Sequence, residues 1–261
     1  TVRKDLIDNC PGLKIIGRGG VGMDNIDVDY AREKGLHVIN TPAASSSSVA
    51  ELVFAHLYGS VRFLHDSNRN MALEGDSNFK KLKKAYGGGV ELRGKTMGII
   101  GLGDIGRSIA KRAQAHDMAV IGWDPYAKDI PDYIALQEQW PTNIGCCDFL
   151  VFACALTEEN HHLFDETILS LVKKGVRLVN VSRGPLISEK VLLKGLADKT
   201  IKSAALDVFE VEALSPNNQI LNYPQCILGS HNGSNTIDAV IRASQQAISL
   251  LAKMLQKETI L

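Results

Sequence analysis

Residues Lys95–Pro125 read KTMGIIGLGDIGRSIAKRAQAHDMAVIGWDP: a short apolar run, a glycine turn, an amphipathic stretch and a second apolar run. This succession predicts a β-α-β unit, the signature of a parallel sheet. In Gly101-Leu-Gly103-Asp-Ile-Gly106, Gly101 permits the tight turn, Gly103 lets a pyrophosphate approach the backbone, and Gly106 lets helix and strand pack closely. The phosphates then sit on free N–H groups at the helix start, around Asp104 and Ile105. Asp124 ends the second apolar run, roughly 20 residues past the turn, where a carboxylate accepts from a ribose 2′-hydroxyl and repels a 2′-phosphate. The pattern therefore predicts a dinucleotide site that selects NAD over NADP. Asp104 puts a negative charge inside the turn, and Arg107 is expected to offset it.

Working outward, further apolar runs recur at Phe149–Cys154, Val176–Val181, Ser203–Val208 and Cys226–Leu228, with helix-like segments at Asp165–Val172 and Ser188–Ala197 between them. Strands alternating with helices predict an α/β fold, a doubly wound parallel sheet of Rossmann type. Upstream, Ser45–Ser48 offers candidate N-caps for one long helix over Val49–Met71, with Val49, Leu52, Val53, Leu57, Val61 and Leu64 at helical spacing. Downstream, Ile237, Val240, Ile241, Ala247, Leu250, Leu251 and Met254 mark another helix. The expected domains are an NAD-binding domain over 46–233 and a second, smaller, discontinuous α/β substrate domain. That domain is formed by 1–45 and the returning helix over 234–261.

Composition narrows the function. The 261 residues carry 29 Lys plus Arg against 29 Asp plus Glu, so no long-range field gathers nucleic acid or an anionic bilayer. The longest apolar run, Phe149–Leu156, is far short of the roughly 20 residues of a membrane span. Cys10, Cys146, Cys147, Cys154 and Cys226 lack the paired spacing of a zinc site and read as reduced, buried thiols. His161 and His162, being adjacent, diverge on a helix, so no metal is expected there. With no basic, apolar leader at Thr1, the expectation is a cytoplasmic protein with a small-molecule partner, binding neither nucleic acid nor membrane.

A second constellation follows. Arg183 in VNVSRGP, Glu212 in LDVFEVEAL and His231 in LGSHNGS each fall just after an expected strand, on the edge where open α/β sheets bind ligands. Together they suit hydride transfer at a carbon bearing oxygen. Arg183 offers a planar fork for a carboxylate. His231 can exchange a proton with the alcohol or ketone oxygen, and a nearby Glu212 stabilises the imidazolium. Asp207 either holds a loop or approaches the nicotinamide carboxamide.

The runs GRGGVGMDNIDV, NTPAASSSSVAEL, GLGDIG, SRGP, LDVFEVE and HNGS, in that order, resemble the D-isomer-specific 2-hydroxyacid dehydrogenases along the whole chain. Within that family the resemblance implies NAD-linked oxidation of 3-phospho-D-glycerate, the entry to serine biosynthesis. His231 would be the acid/base, Glu212 its partner and Arg183 the substrate anchor. The coenzyme contacts it implies are Gly101, Gly103, Asp104, Ile105, Gly106, Asp124, Cys154, Val181, Ser182, Asp207, His231, Gly233 and Ser234. At the phosphorylated 2-hydroxy acid it implies Arg18, Gly19, Arg183 and His231, with Lys81 contributed by a neighbouring subunit, hence a homodimer. The family usually begins some fifty residues earlier, so the substrate domain reads as N-terminally truncated. The sequence departs from the family pattern at Ser45, Asp104, Ala153-Cys154-Ala155 and Ala213. Two alternatives stay open: another D-2-hydroxy acid as substrate, such as glycerate, hydroxypyruvate or an erythronate phosphate, and a non-catalytic protein that senses NAD.

Overall fold

The computed structural model describes residues 1–258. In chain order its elements are α1 (Lys4–Asp8), β1 (Ile15–Arg18), α2 (Val28–Glu33), β2 (His37–Asn40), α3 (Ser46–Val61), α4 (Leu64–Ala85), β3 (Thr96–Ile100), α5 (Asp104–Ala115) and β4 (Ala119–Trp123). There follow β5 (Ile134–Gln137), β6 (Phe149–Phe152), α6 (Glu166–Leu171), β7 (Val176–Asn180), α7 (Glu189–Ala197), β8 (Ile201–Leu206), β9 (Ile227–Leu228) and α8 (Ile237–Glu258). The chain divides into two units, Ala50–Gly233 and Thr1–Val49 with the chain from Ser234 onward.

The larger unit is a seven-stranded, all-parallel sheet in the order β5-β4-β3-β6-β7-β8-β9. A parallel sheet needs cover on both faces, and its strands accordingly bury alternate residues in opposite directions. Phe149 and Val151 of β6 join one core with Met97, Ile99, Leu57 and Ile109, while Leu150 and Phe152 join the other with Leu178, Leu186, Ile168 and Leu196. Helices α3 and α5 thus cover one face, and α6 and α7 the other. Phe149 and Phe152 are fully buried, each contributing about 1.5–3 kcal/mol relative to exposure. Gly122 and Gly98 keep this packing close, since a Cβ on either would lie 2.7 Å from a leucine side chain.

The smaller unit pairs β1 with β2 in parallel, Ile15 opposite His37 and Arg18 opposite Asn40. Ile7, Ile16, Ile26 and Ala31 form its core. Helix α8 packs on both strands, and the side chain of Leu251 comes within 3.8 Å of where a Cβ on Gly17 would stand. Its Arg242 Nε–H donates to the Ala44 carbonyl at 3.0 Å. Among the described residues no helix is long and apolar enough to cross a membrane.

Three expectations are corrected. The single helix over Val49–Met71 is two, because Phe63 turns left-handed at φ 56° and its ring packs on Tyr86, 5.9 Å between centroids. The serine caps do not form as foreseen. Ser45 Oγ is buried without a partner, and the Ser46 hydroxyl donates to the Ala43 carbonyl at 2.9 Å. Of the five thiols, Cys10 and Cys146 are exposed, Cys10 just past the end of α1 and Cys146 as the last residue of a short 3-10 turn, Ile144–Cys146, before β6.

Candidate active site

Strand order reverses between β3 and β6, and their carboxyl ends touch. The Ala153 N–H donates to the Ile100 carbonyl at 2.8 Å. This is the topological switch point, where open α/β sheets take ligands. Gly101 has φ +94°, and a Cβ on it would lie 2.6 Å from the Cys154 nitrogen, so backbone and space both demand glycine. A Cβ on Gly106 would lie 2.0 Å from the Gly101 carbonyl oxygen, which brings α5 hard against the turn. Gly103, the N-cap of α5, has nothing within 4 Å of its Cβ position. The first N–H groups of α5 have no intrahelical partner, and at Gly103 the approach to them is open.

The Asp124 carboxylate clamps this turn to the end of β4. Its Oδ2 accepts the Leu102 N–H at 2.8 Å and its Oδ1 the Tyr126 N–H at 2.9 Å. Each oxygen keeps a lone pair for a further donor. Arg107 braces the same turn, donating to the carbonyls of Leu102 and Lys128, both at 2.8 Å. Its guanidinium is engaged by these carbonyls and forms no ion pair with the exposed Asp104 among the described residues. The geometry fits a dinucleotide: a glycine turn open at Gly103, helix N–H groups beside it, and a carboxylate at the neighbouring strand end.

At the ends of β7 and β8 a second group is assembled through the backbone. Asn180, 1% exposed, accepts the Ser182 N–H at 3.1 Å and donates from Nδ2 to the Arg183 carbonyl at 2.8 Å. The Ser182 hydroxyl donates to the Cys154 carbonyl, joining β7 to β6. Arg183 Nη1 donates to the Ser182 carbonyl at 2.7 Å. A Cβ on Gly184 would lie 1.8 Å from the Phe209 carbonyl oxygen, so the turn carrying Arg183 rests on the loop carrying Glu212.

Asp207 sets the position of His231. Its carbonyl accepts the His231 N–H at 2.7 Å, and its buried carboxylate accepts the N–H groups of Asn232 and Gly233 at 3.2 and 2.8 Å. Of the two readings of Asp207, these hydrogen bonds are those of the loop-holder. His231, at φ +54°, places Nδ1 2.9 Å from Glu212 Oε2, while Glu212 Oε1 accepts the Phe209 N–H at 3.3 Å. Both side chains remain open, 47% and 40% exposed, and Nε2 of His231 has no partner among the described residues.

Two residues before Glu212 stands a pair the sequence did not disclose. Glu210 Oε1 lies 2.7 Å from His162 Nε2, and its Oε2 accepts the Glu189 N–H at 2.8 Å at the start of α7. The separation of 48 positions between His162 and Glu210 carries no spacing signal; the Glu-x-Glu repeat is the one local feature that sets two carboxylates on this loop. No cluster of three His, Cys, Asp or Glu able to hold a metal occurs among the described residues. Burial pushes the thiols of Cys154 and Cys226 up to about 11 and that of Cys147 to about 12, so all three are inert at neutral pH.

The remaining candidates lie elsewhere along the chain. Val181 and Ser182 continue β7, and Gly233 closes the larger unit, with Ser234 the first residue beyond it. Arg18 ends β1 in the smaller unit, its Nε–H donating to the Gly22 carbonyl at 3.3 Å, with the exposed Gly19 after it. Lys81 is exposed on α4.

Residues 54–233 match the model of the D-isomer specific 2-hydroxyacid dehydrogenase, NAD binding domain, which spans the sheet and every residue just described at the switch point. The chain belongs to this family. NAD is its cofactor, in keeping with the glycine turn and Asp124. A D-3-phosphoglycerate dehydrogenase of Methanocaldococcus jannaschii is 38% identical over 260 residues, covering 98% of this chain and 48% of the relative. A hydroxypyruvate reductase of Thermotoga maritima is 36% identical over 260 residues, covering 97% and 81%. The fold matches the crystal structure of a D-lactate dehydrogenase from Aquifex aeolicus complexed with NAD and lactic acid. There the TM-score is 0.83 at 25% identity, over 99% of this chain and 81% of that one. The chain thus spans about half the length of the first relative and four-fifths of the others.

Proposed function

We propose that the protein is an NAD-dependent D-2-hydroxyacid dehydrogenase that oxidises 3-phospho-D-glycerate to 3-phosphohydroxypyruvate, at the entry to serine biosynthesis. The observation that carries this reading is the His231–Glu212 pair at 2.9 Å, with the second imidazole nitrogen unengaged at the carboxyl edge of the sheet. NAD, when bound, supplies the hydride acceptor. His231 Nε2 takes the hydroxyl proton as the alcohol becomes a ketone. Glu212 on Nδ1 holds the ring's orientation and offsets the charge it gains. The guanidinium of Arg183 takes the substrate carboxylate in a planar fork and holds the reacting carbon in register. Asp207 keeps the His231 loop in place through three backbone hydrogen bonds. Arg18 and Gly19 as substrate contacts, Lys81 from the neighbouring subunit of a homodimer, and a cytoplasmic setting complete the reading.

A second reading keeps the chemistry and changes the acid to hydroxypyruvate or glycerate. It is favoured by coverage, since the chain spans 81% of the Thermotoga relative against 48% of the Methanocaldococcus one. NADH formation with 3-phosphoglycerate, glycerate and lactate side by side decides between them. Turnover of the phosphorylated acid at the highest kcat/KM is expected. Turnover of the unphosphorylated acids alone overturns that substrate, and NAD binding with no turnover of any acid overturns the enzyme.

A further inference from the structure

At the opposite edge of the same sheet, a half-buried arginine carries a buried donor with no partner. Arg177, the second residue of β7, has its Nε atom buried with no hydrogen-bond partner. Burial pushes its guanidinium below the usual arginine range, and the one carboxylate that opposes this is Asp148. Asp148 is itself engaged, accepting from Lys173 Nζ at 2.7 Å and from the Thr96 N–H at 2.9 Å. A buried donor left without a partner is costly.

Arg177 lines a cavity of about 270 Å³ at the amino ends of β7 and β8. Lys199, Lys202 and His65 line it too, and Asp66 is its sole acidic residue, with both oxygens engaged by Asn70 and Tyr86. Neither lysine has an ion-pair partner among the described residues. Phe63, Leu196, Ile201 and Ile227 give the wall its apolar part, with Ser60, Ser203 and Gln225 its neutral polar members. The wall is built, not accidental. Gly59 lets α3 approach β9, where a Cβ would lie 2.9 Å from Ile227 Cδ1, and the hydroxyls of Ser60 and Ser203 bond at 2.6 Å across α3 and β8.

We infer that this cavity is a binding site for a small organic anion, a carboxylate or phosphate on a compact apolar body, separate from the glycine turn. Its volume sits just under the range of drug-sized pockets, which suits one ring or an amino-acid-sized skeleton. The anionic oxygens would meet Arg177 with Lys199 and Lys202, giving the unpartnered Nε–H an acceptor, while the apolar body packs on Phe63 and Ile201.

The test is calorimetric titration of phenyl phosphate, benzoate and neutral phenol into the NADH-saturated protein, where the dinucleotide's own phosphate site is already filled. One or both acids should bind saturably, at least about tenfold more tightly than phenol, and Arg177→Met should weaken them at least about tenfold. Should that variant misfold, Lys199→Gln combined with Lys202→Gln, both on exposed side chains, should also weaken them. His231→Ala should leave the affinity unchanged, which separates this site from the proposed chemistry. Preference between the acids identifies the anion as carboxylate or phosphate. The inference is overturned by the absence of saturable binding, by phenol binding as tightly as the acids, or by affinity unchanged in the charge variants.

Discussion

Two histidine–glutamate pairs hang from the same short loop, Phe209–Glu212, and they differ in how far they open to solvent. In the pair of His162 with Glu210, both carboxylate oxygens are engaged, one by the imidazole at 2.7 Å and one by the Glu189 N–H at 2.8 Å. It joins the segment after β6, the start of α7 and the loop after β8. In the pair of His231 with Glu212 the oxygens are likewise engaged, one by the imidazole at 2.9 Å and one by the Phe209 N–H at 3.3 Å, but both side chains are more exposed than their counterparts, 47% and 40% against 36% and 29%. The same two residue types thus join three segments in one place and, on the proposed function, exchange a proton in the other. Exposure at the carboxyl ends of the strands separates the two pairs, not proximity of acid and base.

That contrast can be broken at several points. His231→Ala should lower kcat about a hundred- to ten-thousand-fold in steady-state assays, while NADH affinity by fluorescence titration changes little. Arg183→Lys keeps the charge but loses the planar fork. It should raise KM for the acid with a loss of about tenfold to a hundredfold in kcat/KM. Asp124→Ser should reduce the preference for NAD over NADP by about tenfold, read as the ratio of kcat/KM for the two coenzymes. Glu210→Gln should act mainly on the fold, costing about 1–2 kcal/mol in urea denaturation and lowering kcat far less than His231→Ala.

The smallest effect concerns His56 on α3, whose burial lowers its pKa from the ordinary 6.5. The unfolded chain then binds a proton that the folded chain refuses, so stability falls as pH drops through about 6.5, by at most about 1.4 kcal/mol per pH unit. In His56→Leu that acid-side slope should be shallower in urea melts across pH 5 to 8. An identical slope contradicts the assignment.

The reading of Lys95–Pro125 carried the fold because three glycines, a strand on either side and a terminal acid are local, and each answers a local steric or electrostatic demand. The strands β3, β4, β6, β7 and β8 are buried on both faces and therefore read as apolar runs. Strand β5 was missed because it is an edge strand, where two of its four residues are exposed. The break at Phe63 was missed because the apolar spacing of α3 runs on into Leu64 and nothing local forbids the helix. In the site, Arg183, Glu212 and His231 were legible as polar residues just past apolar strands. The supports were less so: Asn180 looked like an ordinary strand end and Asp207 stood open between two roles, and the work of both is hydrogen bonding to backbone groups that only the folded chain reveals.

The central claim is that Glu212 acts through His231 and Glu210 does not. A kinetic double-mutant cycle on kcat, combining His231→Ala with Glu212→Gln and, separately, with Glu210→Gln, tests it directly. Glu212→Gln should slow the wild-type enzyme strongly and cost almost nothing further once His231 is alanine, while Glu210→Gln should impose the same modest loss in both backgrounds. Independent, multiplying losses for Glu212→Gln and His231→Ala would contradict the account.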